Sequence, residues 1–182
     1  MTRFPPLDRS QLTPEQHAVA DAIVAGPRGG LRGPFQAWLR SPQLADPAQR
    51  LGEYCRFHSS LPRDLTEMAI LLTGKHWRAQ FEFYAHSRLA QEAGLAQEII
   101  EAIRVGVAPP LQSDAARAVY AFVTEYFTQH RVSDATYERA LALFGERGVV
   151  DLVGVVGYYG LVSMTLNVFE VALPDGVEPP LP

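Results

Sequence analysis

Apolar residues recur along this chain with a helical period, and no stretch sustains the strict alternation of a half-buried strand. Start and stop signals divide the pattern. Thr13, Pro14 and Gln16 combine an N-cap, a proline at the first helical position and a capping-box partner, predicting a helix that ends at Gly26-Pro27. Residues 26–34, GPRGGLRGP, read as a loop leading into a short aromatic segment with Phe35 and Trp38. Asp46-Pro47-Ala48-Gln49 repeats the start signal and predicts a helix to about His58. Two adjoining helices follow, one from near Pro62 to Gly74 and one from about Lys75 to Ala93. A short helix over 96–105 is broken before Pro109-Pro110. Ser113 caps ARAVYAFVTEYFTQH and Ser133 caps ATYERALALFG. An apolar segment from Val149 precedes the proline-rich tail. Its first residues resemble a buried strand, but no second strand exists to pair with them, and a lone strand leaves backbone groups unsatisfied. The pattern is all-α, with about seven to eight helices.

Within the last apolar segment, Gly154, Gly157 and Gly160 recur every third residue, with Ser163 continuing the row. Each glycine costs up to about 1 kcal/mol of helix propensity, so close packing is expected to offset it. A subunit contact and a tight crossing within the chain both fit. Asp151, Asn167 and Glu170 interrupt this segment, leaving an apolar core too short to span a bilayer comfortably. No membrane association is expected.

The 182 residues suit one domain covering positions 1–182. A net charge of −4 without blocks of like charge gives no electrostatic footprint for nucleic acid. Cys55 is the single cysteine, which excludes an intramolecular disulfide. It reads as a small buried apolar residue rather than a nucleophile. The polar N-terminus lacks a signal core, and a reducing cytoplasmic compartment is expected.

The candidate chemistry lies in TEMAILLTGKHWRAQFEFYAHSRLAQEAGL. Glu82 and His86 are four residues apart and share one helical face, about 40° apart around the axis. Glu67 lies on the preceding apolar helix. Two carboxylates meeting an imidazole in apolar surroundings make a proton-transfer site. A solvated Glu–His pair is the competing account, because such pairs are common on exposed helix faces.

This region resembles the carboxymuconolactone decarboxylase family, which includes the AhpD-type alkylhydroperoxidases. The matching pieces are Glu67 in RDLTEMAILLTG, His86 in FEFYAHSRLA, and EAGL at 92–95. The likeness is specific over roughly residues 60–105 and looser in the early proline–phenylalanine loop and the late GYYG. In the peroxidase branch, Glu, Cys, Cys and His are spaced E-x11-C-x2-C-x3-H. Counted from Glu67, the cysteine positions fall on Ala79 and Glu82 and the histidine on His86. Both redox cysteines are thus missing, and dithiol peroxide reduction, which needs an attacking thiolate, is not expected. The resemblance implies an AhpD-like helical bundle assembling as a homo-trimer or homo-hexamer. It also implies a cofactor-free decarboxylase-type enzyme acting on a carboxylated lactone or related enolisable molecule. Outside enzymes, the alternative is a catalytically idle oligomeric binding protein.

For such chemistry His86 suits acid–base work. Glu67 and Glu82 divide orientation and proton exchange in a way the sequence leaves open. Substrate contacts are expected from Arg32 and Phe35 in and after the glycine-rich loop, with Arg28 as a second guanidinium. His76 and Trp77 are expected at the pocket border, with His76 opening the helix that carries His86. No HExxH or Cys/His ligand spacing occurs, so no metal is expected. The loop lacks the GK[ST] ending of a phosphate-binding loop, and no nucleotide cofactor is expected either.

Overall fold

Eight α-helices make up the regular structure in the computed structural model, which describes residues 2–182; one short 3-10 turn precedes them, and no strand occurs among those residues. In chain order they are α1 (Pro14–Ala25), α2 (Phe35–Trp38), α3 (Pro42–Glu53), α4 (Arg63–His76), α5 (Gln80–Glu92), α6 (Gln97–Val105), α7 (Asp114–Gln129) and α8 (Asp134–Val168). They form a single all-helical domain. Ten consecutive residues of α4, positions 65–74, are buried, making it the central element. Helices α5, α6, α7 and α8 pack around it. A helix apolar on all sides has no solvent face to offer, and its single deep acid, Glu67, must find a partner inside.

The caps at Thr13, Ser113 and Ser133 form as the sequence predicts: each side chain accepts from a backbone N–H three residues on. Three boundaries differ. Helix α3 begins at Pro42 behind Ser41 rather than at Asp46, and Pro47 sits inside it. The earlier Ser-Pro pair supplies the same start signal, and the second proline forfeits one backbone hydrogen bond near the helix start. The chain then runs on through a π-helical turn, Tyr54–His58, which buries Cys55.

Helix α4 does not stop at Gly74. It continues to His76, and Arg78 takes a left-handed φ of 52°. The Arg78 N–H donates to Lys75 O at 3.1 Å and the Ala79 N–H to Gly74 O at 2.9 Å. This is a Schellman closure with arginine where glycine is usual. Consequently His76 and Trp77 end α4 instead of opening α5. Finally, the two segments expected after Ser133 and Val149 form one element, bent at Gly145, where φ is 67°.

Helix α8 is long and apolar enough to cross a membrane by length and composition, yet most of its apolar window is buried in this fold. Asp151 within it is fully partnered. It accepts from Tyr54 Oη at 2.8 Å, Ser60 N at 2.7 Å and Ser60 Oγ at 2.6 Å, tying the π-turn to α8. The glycine row does not make one continuous packing stripe. A Cβ at Gly154 would lie 3.9 Å from Cys55 Sγ and one at Gly160 3.6 Å from Trp77 Nε1, whereas one at Gly157 would meet open space.

Candidate active site

Glu67 on α4 and Glu82 and His86 on α5 converge, with only 2%, 4% and 6% of their surfaces exposed. His86 Nδ1 lies 2.6 Å from Glu67 Oε2 in a hydrogen bond. Its Nε2 lies 3.0 Å from Glu82 Oε1, the i,i+4 pairing expected from the sequence. This second contact has ion-pair distance without hydrogen-bond direction, and Glu82 Oε1 has no hydrogen-bond partner. The Tyr159 ring stands edge-on to the imidazole, centroids 5.0 Å apart, and fixes its plane.

Burial alone would push the imidazole down. The charges of Glu82 and Glu67 and their hydrogen bonding outweigh it and raise His86 to about 9. At neutral pH the ring is therefore a buried imidazolium: Nδ1–H donates to Glu67, and Nε2–H faces Glu82.

Glu82 and His86 line a cavity of about 600 Å³, whereas Glu67 lies behind the imidazole and does not reach it. The geometry thus separates the two acids: Glu67 can orient and charge the ring, and Glu82 can meet a bound molecule. Four arginines also line this space: Arg28 and Arg32 of the glycine-rich loop, Arg56 of the π-turn and Arg88 of α5. Arg88 pairs with Glu92 at 3.6 Å. The other three make no salt bridge among the described residues. Unpaired guanidinium groups around a hollow favour an anionic occupant.

Arg32 and Phe35 reach this cavity, and the Arg28 guanidinium sits 5.2 Å from the centre of the Phe35 ring. His76 and Trp77 do not. The two-residue extension of α4 past Gly74 carries them elsewhere: His76 stacks on Phe127 with centroids 4.0 Å apart, and Trp77 lines a separate apolar cavity of about 590 Å³. Sequence reasoning missed Arg56, whose direction depends on the π-turn. Tyr158 and Tyr159, in the late GYYG segment, also line the polar cavity. Cys55 is buried at 2% exposure outside the cavity lining, and burial, aided by the charge of Asp151, pushes its thiol up to about 11.

No protein-family model and no curated protein matches this sequence. Among solved structures, the fold is similar to a protein of unknown function from Agrobacterium tumefaciens whose suggested role is that of the antioxidant defence protein AhpD. That match has a TM-score of 0.69 and 18% identity, covering 81% of this chain and all of the other. It is also similar to the debrominase Bmp8 in its apo form, with a TM-score of 0.72 and 13% identity over 93% of this chain and 91% of the other. The chain therefore has the AhpD-like helical fold. At these identities the likeness concerns the fold and leaves the chemistry to be argued from the site.

Proposed function

We propose that this protein is a cofactor-free acid–base enzyme of the carboxymuconolactone decarboxylase type, acting on a small carboxylated lactone or a related enolisable acid. One observation carries the reading: Glu82 and the His86 imidazolium, both buried, open together onto a cavity rimmed by unpaired arginines, with Glu67 behind them. A neutral or cationic molecule would gain little from those arginines, whereas a carboxylate gains charge-assisted hydrogen bonds.

In the forward direction the bond from the reacting carbon to the carboxylate breaks, CO2 leaves, and the electron pair remains as an enolate. The Glu82 carboxylate takes the proton from His86 Nε2 across their 3.0 Å contact and passes it to that carbon. Glu67 keeps the ring charged and oriented, and solvent replaces the proton when product leaves. Off-line contacts of this kind tighten when substrate completes the site.

Sulfur has no place in this scheme. The cavity contains no thiol, and the only cysteine is buried with its thiol held protonated. The assembly is proposed to be a homo-trimer or homo-hexamer. The test is a screen of purified protein against carboxylated lactones and β-keto acids, following CO2 release, with His86→Ala and Glu82→Gln beside the parent. Turnover that disappears in both variants while the assembly is kept supports the reading. Unchanged turnover in both, or thiol-dependent peroxide reduction in its place, overturns it.

A further inference from the structure

Tyr158 and Tyr159 are neighbours on α8 and both are buried, yet their hydroxyl groups have opposite surroundings. Tyr158 Oη has essentially no accessible surface. A Cβ at Gly52 would collide with both this oxygen and Arg28 Nη2, so α3 omits a side chain where the phenol rests against the guanidinium. Arg28 donates to the Tyr158 hydroxyl there, and that group is occupied inside the protein.

Tyr159 differs. Only 2% of the residue is exposed, and it lines the polar cavity. No protein group hydrogen-bonds its hydroxyl, and the hydroxyl is not among the polar atoms sealed from solvent. A buried phenol with neither a partner nor a seal opens onto the cavity that the residue borders. Its ring meets the His86 imidazole edge-on with centroids 5.0 Å apart, so the open hydroxyl and the imidazolium belong to one site. Burial, with the charges of Glu82 and Glu67, pushes the phenol well above its ordinary value. At neutral pH it therefore keeps its proton and can donate. The acceptor has to come with the ligand. Because the charges of both acids act at this point, an uncharged oxygen suits it better than a second carboxylate.

We propose that Tyr159 is a specificity-determining residue of this site, donating from Oη to the carbonyl oxygen of a lactone or keto group on the substrate. The inference rests on the acid–base reading above and narrows the substrate class to oxo-carboxylates, acids that bring an uncharged acceptor oxygen besides the carboxylate that arginine favours. An acid of the same size without that oxygen would strip water from the phenol and leave it unbonded. Sites built to bond an oxygen reject analogues lacking it for this reason. Phe35, Phe81 and Val162 line the same space and give a flat ring apolar walls.

Coumalate and benzoate make a matched pair for the test: flat rings of equal size with one carboxylate, of which only coumalate carries a lactone carbonyl. Binding of each to the full-length protein is read by isothermal titration calorimetry near neutral pH. The wild type is expected to prefer coumalate by about tenfold. Tyr159→Phe should erase that preference by weakening coumalate and leaving benzoate as it was. Tyr158→Phe, which removes the shielded hydroxyl, should keep the preference. A wild type that binds coumalate no better than benzoate overturns the proposal. So does a Tyr159→Phe protein that keeps the preference or loses both ligands together. Should Tyr159→Phe fail to fold, the infrared carbonyl stretch of coumalate bound to the wild type decides. A hydrogen-bonded position supports the proposal, and the position found in a non-bonding solvent overturns it. No turnover is read, so failure here stays distinct from failure of the Glu82–His86 scheme, which CO2 release tests.

Discussion

Two cavities border α8, enclose nearly equal volumes of about 600 and 590 Å³, and differ in almost everything else. One is met by Tyr158, Tyr159 and Val162, and gathers a buried imidazolium, a carboxylate and unpaired arginines. The other is met by Val153, Val156, Gly157, Gly160, Leu161 and Met164, and is closed by aromatic rings from α7 and by Trp77. Arg131 is its one charged lining residue. Cavity size does not tell them apart. What distinguishes them is the charge gathered around the first.

The largest expected effect lies in the chemistry. With a substrate in hand, His86→Ala and Glu82→Gln should each lower turnover by roughly 10²- to 10⁴-fold, the usual share of a positioned acid or base. Met164→Ala across α8 should leave turnover within a few-fold of the parent. Equal losses on both sides in a steady-state assay would erase the distinction between the cavities.

The next effect is on stability against pH. The folded-state pKa of His86, about 9, lies above the 6.5 of an ordinary imidazole. Its contribution is therefore complete below pH 6.5 and is lost as pH rises through 9. The gap corresponds to on the order of 3 kcal/mol. Denaturant unfolding across that window should show the decline, and Glu67→Gln, which removes one of the two stabilising charges, should flatten it. A flat profile in the parent would contradict a buried imidazolium.

A smaller effect is expected from the partnered acid. Asp151→Asn should cost about 1–3 kcal/mol in thermal or chemical unfolding, since it weakens a satisfied buried network, and should leave turnover intact. Loss of turnover without loss of stability would move the chemistry toward α8. Smallest of all for the chemistry, Met164→Lys on the exposed apolar side should change the assembled mass in sedimentation if that side is the subunit contact. The His86 environment should stay as it is.

Much of this was legible in the sequence. The helical period and the Thr13, Ser113 and Ser133 caps define the all-α fold because they are local signals that packing had no reason to override. The Glu82–His86 pair follows from i,i+4 spacing, and Glu67 was within reach because α4 gives a deep acid nowhere else to go. What stayed hidden was set by tertiary context. Arg78 replaces glycine in the closure of α4, which moved His76 and Trp77 away from the site. The direction of Arg56 depends on a π-turn, and the meeting of Tyr158 with Arg28 depends on a missing side chain at Gly52, far away in sequence. Neither leaves a periodic trace.

The central claim is that His86 is held as an imidazolium between two buried carboxylates, and a ¹⁵N NMR titration of its ring reads this directly. Both ring nitrogens should remain protonated through neutrality and lose a proton only near pH 9, with the midpoint falling in Glu67→Gln. A ring that titrates at the ordinary 6.5, unmoved by Glu67→Gln, would contradict the account.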